Sequence, residues 1–203
     1  VGPTYSEPAH APVVPAAGEA VTVSVRAVDP DGIAGMDVLY SVSGGAWQTN
    51  TMTAVDGRFQ GTIPGQVASA RVQFYVQGRD GLGAISTWPA AGPDSRAMYR
   101  VEDGYADLST LHNLRMVMTT ADRDAMYVNT ELLSNYRRGG TVIYDERLVY
   151  YDVGIRLKGS PFGRNSGLAR GFNIAFSVDR PFRGVHHTVS IENSGTFRQM
   201  LAK

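Results

Sequence analysis

The densest concentration of residues able to do chemistry is the segment 152–164, DVGIRLKGSPFGR. Arg156, Lys158 and Arg164 are cations, Ser160 offers a hydroxyl, and Gly159 and Gly163 let backbone amides approach a ligand closely. Together these can hold phosphate oxygens. The context excludes two familiar cradles. A P-loop needs GxxxxGK[ST] running directly into a helix, and a dinucleotide fingerprint needs GxGxxG in the same setting. Here the glycine-rich stretch 159–170 runs instead into GFNIAFSV, an alternating strand. What remains is a glycine hairpin between antiparallel strands. It either covers phosphates or only turns the chain with a solvated basic rim.

A second set is acidic. Asp29 and Asp31 in DPDG, and Asp80 in GRDG, lie in loops that a β-sandwich places at one end. Three carboxylates there can hold Ca²⁺, which takes hard oxygen ligands. The turn reading is favoured over this one, because Asp in such tetrapeptides bonds its own backbone, and no bidentate Glu completes an EF-hand pattern.

Other constellations read as structural. His186 and His187 are neighbours in a strand pattern and so point to opposite faces, which does not suit one shared ion. Asp145 and Glu146 form a carboxylate pair at a hairpin bend, where a solvated turn is expected rather than acid–base work. Tyr144, Tyr150 and Tyr151 form an aromatic cluster of the kind strands favour anyway. No G-x-S-x-G nucleophile elbow occurs.

The elements that must position these residues are mostly strands. AVTVSVRAV alternates Val21, Val23 and Val25 with Thr22, Ser24 and Arg26, and DPDG then turns the chain. MDVLYSVS, the SGGAW hairpin, VDGRFQGTIP, ARVQFYVQGRD and AMYRV continue the pattern, about seven strands in all, at the spacing of an immunoglobulin-like or fibronectin-III-like sandwich. Residues 1–10 read as a Pro/Ala-rich linker, 11–101 as the sandwich and 102–110 as a second linker. In the remainder, 111–203, NLRMVMT reads as a strand, and Thr119 or Thr120 can cap a helix over ADRDAMYVNTELLSN that ends at RRGG. TVIYDERLVYYDVGIRLK reads as two long strands joined across 145–147. In the second of them Val153, Ile155 and Leu157 face one way and Gly154, Arg156 and Lys158 the other. Phe172, Ile174 and Phe176 share a face, HHTVSIEN is a further strand, and SGTFRQMLAK begins a helix.

Composition narrows the function classes. With 19 Lys+Arg against 19 Asp+Glu in 203 residues, no net field draws nucleic acid or an anionic membrane. Cysteine is absent, which removes disulfides and thiolate metal sites. No apolar run is long enough to cross a bilayer, and the start is not a signal peptide. From the linker-like start and the helix expected to be just under way at the end, the expectation is a fragment of a longer polypeptide.

Two resemblances carry residue-level detail. The stretch AGEAVTVSVRAVDPDGIAGMDVLYSVSGGAWQTNTM, with GRFQGTIPG and VQFYVQGRDGLG, resembles bacterial Ig-like modules that precede other domains on large surface proteins. The stretch VYYDVGIRLKGSPFGR, followed by RGFNIAFSVDRPFRGVHHTVSIENSGTFRQMLAK, resembles the CotH (spore-coat protein H) family of atypical kinase-like proteins. Its pattern falls on Arg156, Lys158, Gly159 and Ser160, then on Phe172, Ile174 and Phe176, then on Phe182 and Gly184. This resemblance implies ATP-dependent phosphorylation of protein substrates with Mg²⁺-bound nucleotide, and Arg156, Lys158, Ser160 and Arg164 as contacts to the phosphates. The departures are as informative. HHTVSIEN has no lysine at the phosphate-pairing position of a kinase, Gln199 stands where a Glu partner is expected, and no HRD-like or DFG-like segment occurs.

The expected fold is therefore mainly β: an Ig-like antiparallel β-sandwich followed by an α+β antiparallel sheet resembling a kinase N-lobe. The expected setting is a bacterial extracellular or cell-envelope protein, with an atypical protein kinase or pseudokinase as parent and an incomplete active site in these residues. The rival expectation is a non-enzymatic structural or adhesion protein. In that case the sandwich is a spacer or binding module, and its exposed edges are open to self-association.

Overall fold

The computed structural model describes residues 1–104, 112–128, 134–159 and 171–191. The first half contains β1 (Thr4–Ala11), β2 (Val21–Val28), β3 (Ile33–Val42), β4 (Gln48–Thr51), β5 (Thr53–Val55), β6 (Arg58–Ile63), β7 (Arg71–Asp80), β8 (Ile85–Trp88) and β9 (Ala97–Arg100). These strands make two antiparallel sheets. One has the order β1-β2-β6-β5; the other has the order β4-β3-β7-β8, with β9 also paired to β7. The period-2 alternation read in the sequence turns Val21, Val23 and Val25 of the first sheet toward Val38, Val72 and Phe74 of the second, and all six are buried. The chain is mainly β, and this half is a sandwich.

The second half contains β10 (Leu114–Val117), α1 (Thr120–Met126), β11 (Arg138–Tyr144), β12 (Leu148–Leu157), β13 (Phe172–Ala175) and β14 (Thr188–Ile191). Its five strands form one antiparallel meander whose sheet order is its chain order. Thr119 caps α1: its hydroxyl accepts the Asp122 amide at 3.0 Å. The helix ends at Met126, earlier than the polar–apolar pattern suggests, and residues 129–133 lie outside the described residues. So do most of the glycine loop and the expected terminal helix.

One reading of the first ten residues is corrected. Thr4 to His10, expected as linker, belong to the edge strand β1 (Thr4–Ala11), paired with β2 from Thr4↔Val28 to Ala11↔Thr22. The prolines that disguised it are compatible with an edge. The register shifts between Ser6 and Ala9, which brackets Pro8, so the missing N–H falls at a bulge rather than in a regular ladder.

The two halves pack against each other. Met98 of β9 joins Val117, Ile143 and Val149 in a small shared core with Val13 and Val14. Polar contacts frame it. The Thr141 hydroxyl accepts the Met98 amide at 2.9 Å and donates to the Arg96 carbonyl at 2.5 Å. Arg96 also pairs with Asp122 of α1 at 2.6 Å. Arg115 bridges Asp103 at 2.9 Å and Glu146 at 2.8 Å.

At the centre of the junction Tyr151 of β12 reaches into the sandwich. Its ring meets Phe74 and Trp88 edge-on, with centroids 5.8 Å and 5.2 Å away, and its hydroxyl lies 2.6 Å from Nδ1 of the buried His10. His10 stacks on Tyr99 with centroids 5.2 Å apart, and its Nε2 lies 3.0 Å from the Val13 carbonyl. That carbonyl can only accept, so Nε2 carries the proton and Nδ1 accepts from Tyr151. Burial lowers the imidazole to about 4, only partly opposed by the bond to Val13, so the ring is neutral at physiological pH.

Candidate functional site

Strand β12 sorts its side chains as its sequence dictates. Val153, Ile155 and Leu157 are buried in the meander's apolar cluster, while Arg156 and Lys158 stand on the opposite face just before the turn at Gly159. On that face Arg156 is registered against Asn173 of β13, and Asn173 against Ser190 of β14. Arg137 joins them: its Nη2 donates to Asn173 Oδ1 at 3.0 Å, and Asn173 Nδ2 donates to Ser190 Oγ at 3.1 Å. Arg156 Nη1 donates to the Leu157 carbonyl at 3.1 Å.

The reason an arginine from outside the strand ladder reaches this face is a pair of glycines. Gly139 and Gly154 are direct partners between β11 and β12. A Cβ on Gly154 would lie 2.8 Å from Arg137 Cδ, and one on Gly139 would lie 2.5 Å from Arg96 Cγ. The bare backbone pair is thus a trough in which two arginine stems lie flat. Among the described residues, Arg96 pairs with the Asp122 carboxylate, whereas the bonds of Arg137 and Arg156 go to neutral acceptors. Among the described residues, the Asp152 carboxylate in the middle of β12 is engaged elsewhere: its Oδ1 accepts the Arg96 amide at 2.9 Å. Arg156 and Lys158 are thus brought together as the alternation requires. Ser160 and Arg164 lie outside the described residues. Arg137 and Asn173 were not singled out from the sequence, although the interior strand glycines that admit Arg137 are visible there.

The acidic loops also converge. Asp29, Asp31 and Asp80 place carboxylate oxygens within 4.8 Å of one another, with Asp80 buried and Asp31 exposed. Each loop has local work for its Asp. Asp29 Oδ1 accepts the Asp31 amide at 2.9 Å, and Asp80 Oδ1 accepts the amides of Leu82 and Ala84 at 2.9 and 2.8 Å. These are Asx-type turn bonds. Asp80→Asn keeps the accepting oxygen and should cost well under about 1 kcal/mol, while Asp80→Ala strands two amides and should cost about 2 kcal/mol. Denaturant titration with and without Ca²⁺ checks this. A Ca²⁺-dependent gain in the parent chain that Asn abolishes as fully as Ala would instead make the cluster a cation site.

The remaining constellations are placed as follows. Asp145 accepts the Asn113 amide at 3.0 Å and faces His112 Nδ1 at 2.7 Å, which ties the start of β10 to the β11–β12 turn. Desolvation would raise its carboxyl, but the bonds from His112 and Asn113 outweigh it and hold the group below the usual range, the wrong direction for a general acid. Glu146 is engaged by Arg115. His186 and His187 are both exposed. The three tyrosines divide: Tyr144 and Tyr150 join the meander's apolar cluster, and Tyr151 joins the sandwich.

No family model matches the chain, and no curated protein does. Among solved structures, a bromine derivative of BhCBM56 is 18% identical over 34% of this chain and 73% of its own, with a TM-score of 0.29. The cycloalternan-forming enzyme from Listeria monocytogenes, solved with a pentasaccharide substrate, is 9% identical, with a TM-score of 0.37. That match covers 96% of this chain and 19% of the enzyme. An uncharacterized protein of the same organism, solved with glucose, magnesium and calcium, matches at 10% identity over the same shares, also with a TM-score of 0.37. The chain therefore spans about a fifth of the length of those Listeria proteins.

Proposed function

We propose that this chain is part of a CotH kinase-like protein of the bacterial surface or secreted space, and that the basic face of its meander receives the phosphates of a Mg²⁺-bound ATP. One observation carries the reading. β12 delivers Arg156 and Lys158 to a single face at the mouth of the glycine loop, where Arg137 is laid beside them by the Gly139–Gly154 trough. Guanidinium and ammonium groups suit phosphate oxygens. Among the described residues this face offers Mg²⁺ no carboxylate near Arg156, so the metal would arrive on the nucleotide. The chain's own role is to hold and orient phosphate, in an atypical kinase or pseudokinase parent. Calorimetric titration with Mg·ATP should give saturable binding that Arg156→Ala/Lys158→Ala weakens at least tenfold. Absence of heat, or binding indifferent to the double change, rules the phosphate role out.

A different observation favours a second reading, a non-enzymatic binding or adhesion module. An open cleft of about 800 Å³ lies between the halves, walled by Tyr5, Trp88 and Tyr151 and edged by Glu7, Asp179 and Arg180. Aromatic walls with a few convergent polar groups are the usual make-up of a recognition cleft.

A further inference from the structure

A smaller pocket, of about 270 Å³, opens where α1, β10 and β13 meet the ends of β7 and β9. Among the described residues its apolar wall is Met116, Met118, Met126 and Phe172, its charged residues are Arg71, Arg100 and Arg123, and no carboxylate lines it. The three guanidinium groups differ in what they already hold. Arg123 pairs with its neighbour Asp124 at 2.7 Å. Arg100 pairs through Nη1 with Asp103 at 2.8 Å, but its Nε is buried with no hydrogen-bond partner. Arg71 spends a bond on the neutral Thr120 hydroxyl, at 2.5 Å.

Cationic groups around an apolar wall attract a ligand that is anionic at one end and apolar at the other, and Arg71, bonded to a neutral hydroxyl, carries a charge for its anionic end. Methionines make that wall adaptable, because an unbranched thioether repacks around different shapes at little cost. The volume suits a small molecule rather than a helix or strand of a partner. We propose that this pocket binds a small amphipathic carboxylate, with its alkyl or aryl body among Met116, Met118 and Phe172 and its carboxylate on Arg71 and Arg100. The apolar wall belongs to the face of the meander opposite Arg156 and Lys158, so the proposal does not rest on the nucleotide reading.

The test is NMR of the whole chain carrying ¹³C-methyl methionine, titrated with sodium decanoate and, in parallel, with decanol and decyltrimethylammonium. Of the seven methionines, the signals of Met116, Met118 and Met126 should shift saturably with decanoate and at least tenfold more weakly with either control. Arg71→Gln should weaken decanoate at least tenfold, and Met118→Trp, which fills the pocket, should abolish binding with all three cations in place. Shifts spread over all the methionines, equal response to decanol, or unchanged affinity in Arg71→Gln would overturn the proposal. The localisation of the shifts in the parent chain decides the matter even if a variant folds poorly.

Discussion

Between pH 6.5 and pH 4 the protein should lose about 3 kcal/mol of stability through one residue, His10. In the unfolded chain this imidazole takes a proton as the pH falls through about 6.5, whereas burial against Phe74, Tyr99 and Tyr151 holds the folded group neutral down to about 4. The folded pKa is depressed, so the contribution is fully present above 6.5 and is lost as the pH falls through this window. The slope approaches about 1.4 kcal/mol per pH unit, and the loss levels off once both states are protonated. Protonation would also reverse the bond to Tyr151, whose hydroxyl would have to turn its hydrogen away and accept from Nδ1. The measurement is urea unfolding at half-unit steps from pH 7.5 to 4. His10→Gln should be less stable at neutral pH but lack most of the slope between 6.5 and 5, where few carboxylates titrate. A parental profile as flat as the variant's in that interval would show that the imidazole is not buried and neutral.

The second large effect should come from the other member of the pair. Tyr151→Ala removes the ring that β12 inserts between Phe74 and Trp88 and should cost about 3–5 kcal/mol, the range for deleting a large aromatic side chain from a core. Tyr151→Phe keeps the ring, loses only the hydroxyl on His10, and should cost about 1–2 kcal/mol. The larger change should also split the unfolding transition. Trp47 and Trp88 both lie in the sandwich, so tryptophan fluorescence follows that half, while amide exchange in β11 and β12 follows the meander. In the parent chain the two probes should share one midpoint, and in Tyr151→Ala they should separate. A coincident midpoint shifted by less than about 1 kcal/mol would mean the ring does not couple the halves.

What was legible in the sequence, and what was not, divides by range along the chain. The polarity of β12 could be read because alternation is local: Val153, Ile155 and Leu157 against Gly154, Arg156 and Lys158 is a two-residue period that no distant contact has to supply. The turn at 145–147 and the Thr119 cap were legible for the same reason, since each is decided within a few residues. β1 was not, because Pro8, a bulge and few alternating apolar positions give an edge strand the look of a linker. The junction was the least legible part. His10 and Tyr151 are 141 residues apart, and neither has a neighbour that marks it as a partner. The arginine trough stands between these cases. Gly139 and Gly154 are visible as interior strand glycines, but that they face each other, and that Arg96 and Arg137 lie across them, follows only from the register.

The placement of Tyr151 also bears on how such a chain can change over generations. A β-sandwich ahead of another unit is ordinarily a cassette, replaceable by any relative of similar length. Here the following sheet completes the sandwich's interior, with one of its tyrosines lodged beside Phe74, Trp88 and His10. A transplanted sandwich that lacked an acceptor opposite that hydroxyl would bury an unmatched polar group and a misfitted ring at once. The two halves are therefore bound to be inherited together, and substitutions at positions 10 and 151 should track each other across relatives wherever the pairing is kept.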